Sequence, residues 1–264
     1  MYALLKNALL FSTTCIAMVL ITSCDRLYSN YLADSTDINA SGQLSNEYEI
    51  FRFANSVDAQ LSQCSLEKSM IYTLGDYSFY IEKYLSKGRP VLYVEKQISE
   101  KFGTLVKYCY VKDLKPIFLS EKEFFSNREK PHSVTNTFFK DGTAFSSETK
   151  SASTLQEINL AMFQKAEVKK HNKTIGIEFF EDAIAKRGKF DLLFDRITQC
   201  PKAKYLILSR SEANSFRVPV KVEKEDEFIR AISTDPGSFR GARLDIRCKI
   251  NHNNELVYVA GRIK

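Results

Sequence analysis

Thr104-Leu105-Val106-Lys107-Tyr108-Cys109-Tyr110-Val111 is the stretch that decides the fold. Side chains alternate across a strand, so Leu105, Lys107, Cys109 and Val111 share one face and Thr104, Val106, Tyr108 and Tyr110 the other. The pattern predicts a strand that buries Cys109 and displays its tyrosines. Comparable runs precede it at 69–74, 77–85 and 90–96, and 117–119 follows. Gly75-Asp76 and Ser86-Lys87-Gly88-Arg89 punctuate them as turns. A helical run comes first: Ile50, Phe51, Ala54, Val57, Ala59 and Leu61 recur at three- and four-residue steps between 47 and 63. Helix and strands together predict an α+β lobe over 46–125.

Residues 126–153 are mostly polar and read as an inter-lobe connection with one short hairpin at Asp141-Gly142. Thr154-Leu155-Gln156-Glu157 then fits a capping box. Leu155, Ile158, Met162, Phe163 and Ala166 line one face of the helix expected after it. A strand is expected at 174–179, helices at 180–186 and 190–199, and strands at 204–209 and 216–222. Pro219 argues that the last of these lies at an edge. A short helix at 225–232, a turn at Asp235-Pro236-Gly237 and a hairpin from 242 to 263 complete a second lobe, 154–264. The expected architecture is α+β, in two small lobes, each with helices packed on a mostly antiparallel sheet.

The lobes share an order. Ser62-Gln63-Cys64 and Thr198-Gln199-Cys200 each close a predicted helix, and Cys109 and Cys248 sit on later strands. An internal duplication accounts for this, and so does coincidence. Three connectivities are open to these four cysteines. The simplest pairs Cys64 with Cys109 and Cys200 with Cys248, one disulfide per lobe. Each bridge would contribute roughly 3–4 kcal/mol in the chain-entropy account.

The amino terminus carries different information. Lys6 precedes an uncharged run of fourteen residues, Ala8 to Ile21, and Asp25 and Arg26 end it. At about 1.5 Å per residue this is short of a roughly 30 Å hydrocarbon core. Leu20-Ile21-Thr22-Ser23-Cys24 closes the run with two small residues and a thiol. The segment resembles the leader and lipobox of bacterial lipoprotein precursors. The resemblance implies a signal peptide at 1–23, acylation (palmitate among the chains) at Cys24 and a lipid bilayer as the first partner. Asp25 implies retention at the periplasmic face of the inner membrane, with the outer membrane as the alternative. Polar residues then predict a flexible tether over 24–45, and the oxidising compartment suits the disulfides.

Charge is uneven. Residues 151–264 hold 21 Lys and Arg against 15 Asp and Glu, and residues 25–150 hold 16 against 17. The basic end concentrates on the final hairpin. Arg243, Arg247 and Lys249, with Asp245, alternate with Leu244, Ile246, Cys248 and Ile250, and Arg240, Arg262 and Lys264 extend that face. Arg240, Arg243, Arg247 and Lys249 are therefore the candidate partner-binding residues, for an acidic protein or a wall polymer. A solvated outer sheet face gives the same pattern. No nucleic-acid motif appears.

Signatures of catalysis are missing. His132, His171 and His252 fall outside any metal-ligand spacing. Ser65–Lys68 and Ser147–Lys150 lack the partner motifs of penicillin-recognising enzymes. Glu178, Glu181 and Asp182 are close in sequence, as helix starts favour. No catalytic residue, cofactor or metal is expected. The sequence points to a non-enzymatic envelope lipoprotein serving a secretion, surface-assembly or conjugation apparatus. A ligand- or wall-polymer-binding lipoprotein is the alternative, and an envelope hydrolase a more distant one.

Overall fold

Turns with left-handed backbone set the sheet. Lys87-Gly88, Asp113-Leu114 and Asp141-Gly142 all have positive φ, the geometry of two-residue hairpin loops whose twist matches the strands. In a computed structural model of the chain, the residues described are 38, 44, 46–101, 103–169, 174–201, 203–212, 214–253 and 255–263. The leader, Cys24, Asp25, most of the tether, His171 and Lys264 lie outside them.

The helix α1 (Glu47–Gln60) is capped by Asn46, whose side chain accepts from the Glu49 amide, and a 3-10 turn, Leu61–Gln63, ends it. Two short strands follow, β1 (Ser65–Lys68) and β2 (Tyr72–Leu74), and both pair with β3 (Tyr77–Ser86). The meander continues through β4 (Arg89–Ser99), β5 (Gly103–Lys112), β6 (Lys115–Phe124), β7 (His132–Lys140) and β8 (Thr143–Ala152), antiparallel at every step. The strands expected at 77–85, 90–96, 104–111 and 117–119 are present, and of 69–74 only Tyr72–Leu74 is strand. The stretch 126–153, expected as a connection, supplies β7 and β8: the hairpin at Asp141-Gly142 is real but long. Its threonines and serines occupy rungs of the sheet, where β-branched polar residues fit as well as apolar ones.

Thr154 and Glu157 form the expected capping box. The helix it starts, α2 (Leu155–Leu160), is short, because Ala161 already has extended backbone. The chain then adds β9 (Gln164–Lys165) to β8. The strand expected at 174–179 is not formed: Thr174 makes one isolated bridge to Thr143, and helix α3 (Glu178–Ala185) begins within the expected span. The expected helix at 190–199 is instead strand β10 (Leu193–Cys200), with a bulge between Phe194 and Arg196. Cys200 therefore ends a strand and Cys64 follows a helix, which removes the shared order behind the duplication. Next come β11 (Ala203–Ser209), β12 (Arg217–Val222), α4 (Glu227–Thr234), α5 (Pro236–Phe239), β13 (Leu244–Ile250) and β14 (Leu256–Ile263).

Strand β12 joins everything. One edge pairs with β11. The other pairs at Arg217 with Thr73 of β2 and at Lys221 with Val257 of β14. Pro219 was expected at an edge but sits in this interior strand. It falls between those two pairings, where its missing N–H costs no ladder bond. The result is α+β and mostly antiparallel, with residues 38–264 forming one compact unit.

Two cores lie on opposite faces of the meander. Leu92, Tyr110 and Phe118 stand in register and pack with Ile50, Phe53, Ala54 and Val57 of α1. Tyr93, Cys109 and Leu119 face the other way and pack with Phe180 and Ala183 of α3 and with Val218, Val220 and Ile229. Tyr110 is thus buried beneath α1 rather than displayed. The second core draws on both ends of the chain. Tyr72, Phe79, Phe179, Phe190 and Phe216 form one aromatic cluster, with Phe190 and Phe216 stacked at 5.2 Å.

Candidate partner-binding groove

On β13 the expected alternation holds. Ile246 is buried, Cys248 and Ile250 are half-buried, and Arg247 and Lys249 point to solvent. Every second side chain shares a face, so the apolar set faces the core and the cationic set faces out. The other two expected residues are neutralised. Arg243 donates to Asp191 at 2.5 Å, and Arg240 donates to Asp195 at 3.2 Å. Arg262 likewise donates to Asp245 at 3.0 Å across the hairpin. Arg247 and Lys249 make no ion pair among the described residues.

The apolar face of β13 borders a groove of about 350 Å³. Ile246, Cys248, Ile250, Leu256 and Met70 form its apolar wall, and Lys68 and Lys186 put two ammonium groups at it. Lys186 has left-handed backbone as the C-cap of α3. Lys68 is held by Glu82 at 2.7 Å. Burial pushes the Cys248 thiol up to about 11, against the pull of the Lys186 charge. A protonated thiol in that position contributes packing rather than nucleophilicity. Lys68 and Lys186 escape sequence reasoning because no local pattern links β1 to the end of α3.

The four cysteines are free thiols here, so the expected pairs are not formed. Cys109 lies in the core under α3, and Cys64 packs beside the core under α1. They sit on opposite faces of the sheet. Cys200 is exposed at a strand end, and Cys248 packs against the core.

Titratable groups are brought together elsewhere, but as ion pairs. Glu82 is buried between Lys68 and Lys96, at 2.7 and 3.1 Å. Its burial raises the carboxyl pKa, yet the two lysines outweigh that and leave it below the ordinary value. On the other face Glu95 meets Lys107 at 3.3 Å, and Glu121 meets Lys169 at 3.5 Å. The trio at the start of α3 is dispersed. Glu181 turns to Tyr93 and Lys83, and Asp182 to Arg187. His132 packs on Phe124, and its pKa is lowered by burial. Among the described residues no group of His, Cys, Asp or Glu is arranged to hold a metal ion.

No protein-family model matches the chain, and the comparisons with curated proteins and with solved structures return no match either.

Proposed function

We propose that this chain is a lipid-anchored lipoprotein of the bacterial envelope, acylated at Cys24, whose body docks a partner along β13. The observation that carries the docking is the pairing of two exposed cations, Arg247 and Lys249, with an apolar groove bordered by the intervening residues. Such a strand suits an acidic, extended segment of an envelope protein. Side chains on alternate positions of the segment enter the groove, and its carboxylates meet Arg247, Lys249 and Lys186. The role is that of an accessory in secretion, surface assembly or conjugation. Periplasmic placement at the inner membrane rests on Asp25.

Affinity isolation from membranes tests this. Arg247→Glu with Lys249→Glu is expected to lower partner recovery by about tenfold or more, as reversal of charges at a contact does. Unchanged recovery removes β13 as the docking strand. A second reading is favoured by the groove's size, which lies in the range of small-ligand sites. A ligand or wall-polymer fragment held there would raise the melting temperature, and Ile250→Asp would abolish that rise.

A further inference from the structure

Apolar side chains that a fold leaves in water need a reason when they cluster. Leu160 is 78% exposed and Met162 87%, and Leu155 and Phe163 beside them are exposed too. They stand within nine residues, on α2 and the segment leading to β9. Only Ile158 of α2 is buried. The sequence spacing suited a longer helix, but the chain leaves helical backbone at Ala161 and turns these side chains outward.

Beside them lies a cavity of about 270 Å³, lined by Lys130, Lys150, Thr149, Ser151, Gln164 and Met162 among others. No carboxylate is among its lining residues. Lys150 lies 4.7 Å from the Phe163 ring, so one ammonium is held at the junction of the cavity and the apolar cluster. Two ammonium groups, a serine hydroxyl and an amide supply donors to an anion. Protruding Leu and Met side chains next to them supply a surface for acyl chains.

We infer that this corner is a membrane-facing site, in which Lys130 and Lys150 take the phosphate of an anionic phospholipid while Leu160 and Met162 enter the acyl boundary. Protrusion and charge together favour a lipid surface over a protein groove, because interfacial insertion combines apolar side chains with flanking cations. The inference rests on the reading that the body is tethered at a membrane. It adds a second contact, and one acyl-anchored body with a basic-apolar patch is held far more firmly than by either alone.

The chain contains no tryptophan, so Met162→Trp places a single indole at the patch, excited selectively beyond the tyrosine absorption, and Val259→Trp on β14 is an exposed control. Full-length protein is mixed with phosphatidylglycerol-containing vesicles or pure phosphatidylcholine vesicles. At position 162 emission is expected to shift to shorter wavelength and to be quenched by brominated acyl chains, only with phosphatidylglycerol. The shift is expected to disappear with Lys130→Glu and Lys150→Glu, and position 259 to stay solvent-like. An unshifted emission at 162 overturns the site whether or not the protein floats with the vesicles. A shift that grows with protein concentration without lipid assigns the patch to a second copy and also overturns it. The anchor is read separately. Flotation lost in Cys24→Ala supports lipidation, and equal flotation removes the anchor alone.

Discussion

Tyr93 on β4 donates its phenolic proton to the carboxylate of Glu181 in the first turn of α3. Lys83, from the neighbouring strand, holds the same carboxylate at 2.9 Å. The contact pins α3 to β3 and β4 of the meander. Burial raises the Glu181 pKa, but the Tyr93 and Lys83 hydrogen bonds more than reverse this and leave it below the ordinary value. Tyr93→Phe is expected to destabilise the protein by about 1.5–3 kcal/mol, the usual worth of a hydrogen bond to a charged group. Urea denaturation measures it; a loss under about 0.5 kcal/mol would show the contact to be incidental.

Acid should weaken the fold through Glu82 and Glu181. Both have folded-state pKa values below the ordinary value. Their contribution is complete above the unfolded value of about 4.3 and is lost as pH falls through the folded value. Stability is therefore expected to be flat above about pH 5 and to fall below it. Glu82→Gln flattens that acid limb while lowering stability at neutral pH. An unchanged limb in a Glu82→Gln, Glu181→Gln double variant contradicts the assignment.

Phe190 is buried in the aromatic cluster that both ends of the chain build. Phe190→Ala is expected to cost about 3–5 kcal/mol. Because the core is shared, calorimetry should show one transition moving as a whole. Two transitions, only one of them shifted, would restore independent lobes.

Thiol labelling, mapped by peptide mass, should follow burial. Cys200 reacts first, Cys64 and Cys248 later, and Cys109 only on unfolding. Burial holds the Cys109 thiol at about 12 and Cys248 at about 11, so at pH 9 both remain mostly protonated and Cys248 stays slower than Cys200. A Cys64–Cys109 or Cys200–Cys248 disulfide in the isolated protein would show as protected pairs released by reductant.

Gly103 has φ of +86°, and a Cβ there would lie 2.0 Å from the Phe124 carbonyl oxygen. Gly103→Ala is expected to cost about 3 kcal/mol, with strain and clash together. Gly75→Ala meets open space at φ of +65° and should cost only about 1–2 kcal/mol for the left-handed backbone. Equal losses in melting experiments would show that contact with Phe124 is not what Gly103 relieves.

The N-terminal meander was legible because its signals are local. Alternation at 104–111 locates β5 to within a residue at each end, and the turns at Gly75 and Gly88 fix the strand ends that meet there, whereas β1 was not expected and the far ends of β2 and β4 lie three residues off. Past Ser126 the signals compete. Phe194, Ile197 and neighbouring polar residues suit a short helix, and only β11, which they pair with, makes them a strand. Met162 and Phe163 extend a helical stripe in sequence, but no facing surface buries them. At the candidate groove β13 was readable from alternation. The neutralising acids, Asp191 and Asp195, were not, because they arrive from another strand and the loop before it. Lys68 and Lys186 meet the groove only through the fold.

The split edge of β12 also dictates a timetable. Its first contact, Thr73, leaves the ribosome early, and its second, Val257, belongs to an 8-residue strand at the far end of the chain. A polypeptide made amino terminus first therefore carries β12 half-bare from the completion of Val222 until Val257 emerges. Protease resistance should arrive late and abruptly, when β14 docks. Chains stopped at Asn251 should be degraded where full-length ones survive, and equal survival in a pulse-chase would show that the meander alone protects them.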